Sequence, residues 1–162
     1  MKKLLSFSGI LAIVAGVCMV VGGIWGIVFT YTNIAQEKIV TPEDASIPSR
    51  PVRGPLTLKA QADIIRIHTL KTTGGKVYAE MPRQIPKLDE SGNVVLDESG
   101  APVLVANTAR DMWVTATTLT TALNLGIITY AFASLIVFFG LVSIWTGITF
   151  LALSKRSVPG VV

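Results

Sequence analysis

The sequence holds one cysteine, Cys18, and one histidine, His68, in 162 residues. A single cysteine excludes an intramolecular disulfide, and Cys18 lies in an apolar run where it packs as a small hydrophobe. Bulky Val17 precedes it, where a lipid-modified cysteine has a small neighbour. A single histidine leaves a zinc site or a facial iron triad short of ligands, since Asp63, Glu80 and Asp111 cannot complete one around His68. P-loop, dinucleotide and nucleophile-elbow signatures are absent, and so are the Asp/Asn spacing and terminal Glu of an EF-hand. No metal or other cofactor is expected.

Charge is missing from two long stretches, residues 4–31 and 113–154. A bilayer core needs about 20 apolar residues in helical form, and both stretches exceed that. Transmembrane helices are therefore expected over residues 4–31 and 118–153. The first could also be read as a signal peptide, but its length and the absence of a prompt small-x-small cleavage site favour an uncleaved anchor. With no Asp, Glu, Lys, Arg or His inside either stretch, no proton path or ion channel within this chain is expected.

The net charge of +4 is a matter of placement. Ten basic and ten acidic residues lie between Glu37 and Asp111 and cancel; the excess is Lys2, Lys3, Lys155 and Arg156 at the ends. Basic flanks mark the cytoplasmic side. The expected topology is multi-pass in the plasma membrane, both termini cytoplasmic, with residues 33–117 extracytoplasmic and a cytoplasmic tail at 154–162. Trp25, Phe29 and Tyr31 fit an aromatic belt at the outer interface. The basic balance reports topology, and no nucleic-acid partner is expected.

Small residues recur every seventh position: Gly9, Gly16 and Gly23 in the first stretch, Gly126, Ala133, Gly140 and Gly147 in the second. That period keeps one helix face aligned along a left-handed crossing, and small residues let backbones approach closely in lipid. The two spans are expected to pack as an antiparallel hairpin, with Gly9 level with Gly147 and Gly23 level with Ala133. Val20 and Phe138 are placed off this seam. Gly22 and Gly26 form a second small-xxx-small pair for another helix or a homodimer.

Between the spans, Pro42, Pro48, Pro51 and Pro55 make 41–55 a turn-rich linker. Residues 56–73 read as an amphipathic helix with Leu58, Ala62, Ile65 and Thr69 on one stripe, widened by Ile64, Ile67 and Leu70, and with Gly74 and Gly75 ending it. Residues 86–105 hold a duplication, Leu88-Asp-Glu-Ser-Gly-Asn-Val-Val-Leu96 then Asp97-Glu-Ser-Gly-Ala-Pro-Val-Leu104, read as a short β-hairpin or two successive turns. A helical stalk is expected from 107, capped by Asn107 or Thr108. The fold class is thus mainly α, a membrane-spanning hairpin with a small extracytoplasmic helix and a turn insert.

The stretch Ala62-Asp-Ile-Ile-Arg-Ile-His68-Thr-Leu-Lys-Thr-Thr-Gly74-Gly75-Lys76-Val-Tyr78-Ala-Glu80, between two terminal spans, resembles a family of small actinobacterial two-span membrane proteins with an external His-x-Leu-x-x-Thr-Gly-Gly-x-x-Tyr-Ala-Glu motif. The resemblance covers most of the chain, apart from a longer Asp-Glu-Ser-Gly insert. It implies a bacterial plasma membrane and marks His68, Gly74, Gly75, Tyr78 and Glu80 as an external interaction surface. Members often carry the label of aromatic ring-opening dioxygenase, which would require iron with His68 as a ligand. The residues themselves favour a non-catalytic accessory subunit that binds the lipid bilayer and other membrane proteins or further copies of itself. An extracytoplasmic ligand or stress sensor, using the groove between the amphipathic helix and the stalk, is the third reading.

Overall fold

The computed structural model describes residues 2–156; the rest of the expected tail, 157–162, lies outside the described residues. The fold is mainly helical: α1 (Lys2–Gln36), α2 (Pro55–Thr72) and α3 (Thr108–Lys155), with a 3₁₀ turn at Tyr78–Glu80 and a two-stranded antiparallel sheet of β1 (Gln84–Pro86) and β2 (Leu104–Ala106). The chain divides into two compact units. One holds α1, Val52–Pro55 and α3 from Leu125; the other holds 40–51 and 56–124.

In the first unit α1 and α3 are each long and apolar enough to cross a membrane. Only 11% and 17% of their most apolar windows are buried, so most of their Leu, Ile, Val and Phe side chains face outward. The buried positions of α1 are Gly9, Gly16, Gly23 and Thr30. They are seven residues apart, the spacing that keeps one stripe against a neighbour. Facing them on α3 are Ala133, Gly140 and Gly147, with Leu123 and Tyr130 also buried on that helix; Gly126 is half-buried. The helices run antiparallel, Gly9 beside Gly147 and Gly23 beside Ala133.

In the second unit the linker folds about Thr41. Its hydroxyl donates to the Ile47 carbonyl at 2.5 Å and accepts from the Arg50 N–H at 3.0 Å. Thr41 and Arg50 also pair through the backbone at 2.9 Å. In α2 the stripe of Leu58, Ala62 and Thr69 is buried, with Ile65 and Leu70 half-buried. Ile67, expected to widen the stripe, is 46% exposed. Ala60 and Ile64 are buried as well. At 3.6 residues per turn they sit opposite Leu58 and Ala62, so the first half of the helix is covered on two sides. Gly74 and Gly75 end it at φ +62° and +79°, a left-handed conformation that glycine adopts without a Cβ penalty.

The insert is not a simple hairpin. β1 and β2 pair with Ile85 opposite Val105, and each sequence copy between them closes its own turn, through bridges Leu88↔Val94 and Leu96↔Pro102. Three backbone bonds join the copies in a cycle. The Lys87 N–H donates to Val103 O (2.7 Å), Val103 N–H to Val95 O (2.9 Å) and Val95 N–H to Lys87 O (2.9 Å). Asp89 and Asp97 build matching turns: Asp89 Oδ1 accepts from the Ser91 and Asn93 N–H groups, Asp97 Oδ1 from those of Ser99 and Ala101. Asn107 then caps α3, its Oδ1 accepting from Ala109 N–H at 3.2 Å while its amide donates to Pro82 O at 2.9 Å.

Candidate functional site

The seam of α1 and α3 is tighter than alanine would permit. A Cβ added at Gly16 would lie 2.5 Å from Gly140 O and 2.7 Å from Ile144 Cγ1. One at Gly140 would lie 2.8 Å from Gly16 O and from Val20 Cγ2. Gly9 and Gly147 oppose in the same way, with Leu151 and Ile13 as the flanking side chains, and Gly23 meets Ala133 O and Val137. Each glycine therefore accepts the partner's backbone and a branched side chain four residues beyond it. Val20, expected off the seam, is part of it, because the residue four beyond Gly16 returns to the same helical stripe. Phe138 is 58% exposed. Ser143 adds a polar tie, its hydroxyl donating to Ala12 O at 2.8 Å. Gly22 has nothing within 4 Å of an added Cβ, whereas Gly26 faces Ala133 at 3.5 Å, so the two do not share one environment.

A clamp joins the Val52–Pro55 segment to both helices of this unit. The Tyr130 hydroxyl donates to Arg53 O at 2.6 Å, and the Arg53 guanidinium donates to the Tyr31 hydroxyl at 3.1 Å. Beside it Trp25 and Phe29 stack at 5.3 Å between centroids.

The residues marked by the external motif do not converge on one centre. His68 Nε2 lies 2.7 Å from Asp44 Oδ2, both side chains about half exposed. That hydrogen bond, and the positive charge the ring can carry, hold the Asp44 carboxyl below its usual value. Gly74 and Gly75 serve the helix end: the Gly75 N–H donates to Leu70 O at 2.7 Å. Glu80 folds back to accept the Val77 N–H at 2.9 Å. Tyr78 lies under the Arg110 guanidinium at 3.9 Å, a cation–π distance, while Arg110 donates to Met81 O at 2.7 Å. His68 and Asp44 offer one nitrogen and one carboxylate, fewer than the three ligands of a facial iron site. Among the described residues no three His, Cys, Asp or Glu side chains group as metal ligands. The residues present do not fit the iron that the dioxygenase label implies.

A recess lies beside Trp113, in the groove between α2 and the start of α3 that the ligand-sensor reading would use. It has a volume of about 80 Å³ and is lined by Arg66, Thr69, Trp113, Ala116, Thr117, Thr120 and Thr121. The Arg66 guanidinium stands over the indole at 5.8 Å. A second recess of about 290 Å³ is lined by Tyr78, Trp113, Val114, Thr117 and Thr118. The threonine-rich start of α3, which needs a partner surface, was the available signal. No family model, curated protein or solved structure matches this chain.

Proposed function

We propose that this chain is an integral membrane protein of the plasma membrane and serves as a non-catalytic interaction subunit of a larger membrane assembly. In this reading α1 and α3 form a two-span hairpin with cytoplasmic termini, and the segment between them is extracytoplasmic. One observation carries it. The helices are sealed to each other along a glycine seam, while the rest of their apolar surface, including Phe132, Phe139 and Trp145, stays exposed. Exposed apolar area of that extent is stable against lipid or another membrane protein and unstable against water. At 1.5 Å per residue α3 is about 70 Å long against a hydrocarbon core of about 30 Å. Its polar, threonine-bearing start therefore extends past the apolar layer.

Purification of a tagged copy at native expression in a mild detergent tests the proposal. Stoichiometric co-purifying membrane proteins, or a defined homo-oligomer, are the expected result. A monodisperse monomer free of partners would refute it.

A further inference from the structure

We infer that the two recesses flanking Trp113 form a binding site for an amphiphile carrying a phosphate head and an apolar chain. The polar half is built of one guanidinium and threonine hydroxyls. Among the described residues no carboxylate pairs with Arg66, whose recorded contact is the Trp113 face. Thr115 and Thr118 return their hydroxyls to their own helix, donating to Asp111 O and Val114 O. Thr117, Thr120 and Thr121 make no such bond among the described residues, and all three line the recess with Arg66. A guanidinium offers five N–H donors in a planar fork. Together with three hydroxyls that is more than the two oxygens of a carboxylate use, and it suits a phosphate.

The apolar half is the larger recess. Tyr78, Trp113 and Val114 line it together with Thr117 and Thr118. Arg110 stacks on the Tyr78 ring and is itself tied to Met81 O, which holds that wall in place. Trp113 and Thr117 line both recesses, so a cationic end and an apolar end adjoin there. The phosphate could belong to a lipid or to a soluble ion, and the apolar half selects the lipid.

The test uses the full chain in phosphatidylcholine nanodiscs, with Trp25→Phe and Trp145→Phe leaving Trp113 as the only tryptophan, excited selectively over tyrosine. Water-soluble dihexanoyl phosphatidic acid is titrated in, with inorganic phosphate and dihexanoyl phosphatidylcholine as parallel arms. The expected result is saturable quenching by phosphatidic acid, weakened by about tenfold or more in Arg66→Gln, the scale of a lost charged hydrogen bond. Thr117→Val should weaken it less, and Arg66→Lys should retain part of it, which separates lost binding from lost folding. Equal affinity for inorganic phosphate overturns the apolar half of the site. Equal binding by Arg66→Gln overturns the phosphate half, and the absence of saturable quenching overturns both.

Discussion

Replacing Gly16 with alanine sets two effects against each other, and Gly22→Ala measures one of them alone. Alanine in a helix interior is favoured over glycine by about 0.5–1 kcal/mol. At Gly22 nothing lies within 4 Å of the new methyl, so only that gain operates. At Gly16 the methyl would stand 2.5 Å from Gly140 O and 2.9 Å from Ile144 N. Both are backbone atoms, so no rotamer change relieves the contact and the helices must separate. Overpacking of this kind costs about 1–3 kcal/mol. Since both variants share the propensity gain, their difference isolates the clash at about 1–3 kcal/mol. Unfolding of the purified chain in mixed micelles, followed by circular dichroism, reads it. Gly140→Ala should match Gly16→Ala, because each meets the other's carbonyl. If Gly16→Ala proves as stable as Gly22→Ala, the close approach of the two helices is wrong.

Other consequences can be checked separately. Tyr130→Phe removes the hydroxyl that donates to Arg53 O, and should cost about 0.5–1.5 kcal/mol in the same unfolding assay, with faster proteolysis in the 40–54 segment. Because Asp44 is held below its ordinary value of 3.8, its pairing with His68 is fully present above that value and is lost as pH falls through the lower, folded one. Carboxyl NMR should show the Asp44 titration moving up in His68→Ala, and an unmoved midpoint would exclude the pair. On a Cys18→Ser background, cysteine at Ser91 or Ser99 should label from outside intact cells and cysteine at Ser6 only after permeabilisation. The reverse pattern would invert the proposed topology.

Sequence and structure part company at identifiable places. The seven-residue recurrence of Gly9, Gly16 and Gly23 is visible in the sequence because helical periodicity is local. Val20, Ile13 and Ile144 also belong to the seam, and the spacing of small residues does not mark them, although side chains four positions on share a glycine's face. The turn chemistry of the Asp-Glu-Ser-Gly copies is equally local, carried by carboxylates that accept N–H groups two and four residues ahead. β1 and β2 had no comparable signal. Gln84-Ile-Pro86 is three residues long and includes a proline, and its pairing with Leu104–Ala106 depends on contacts far along the chain. The same distance hid Asp44 from His68, 24 residues away.

The cycle of Lys87, Val95 and Val103 gives the insert a pseudo-threefold character, since its members are spaced by eight residues and each donates to one neighbour and accepts from the other. Two members of such a cycle need no third. Removal of residues 89–96 would bring Leu88 directly to Asp97, and with Val95 gone the free Lys87 carbonyl would face the free Val103 N–H. Exchanging both bonds is what an ordinary antiparallel pair does, so the β1–β2 ladder would gain one rung and the second Asp turn would close it. The segment can therefore shorten by one copy while β1, β2 and the Asn107 cap keep their register, which makes the length of this loop separable from the placement of the helix that follows it.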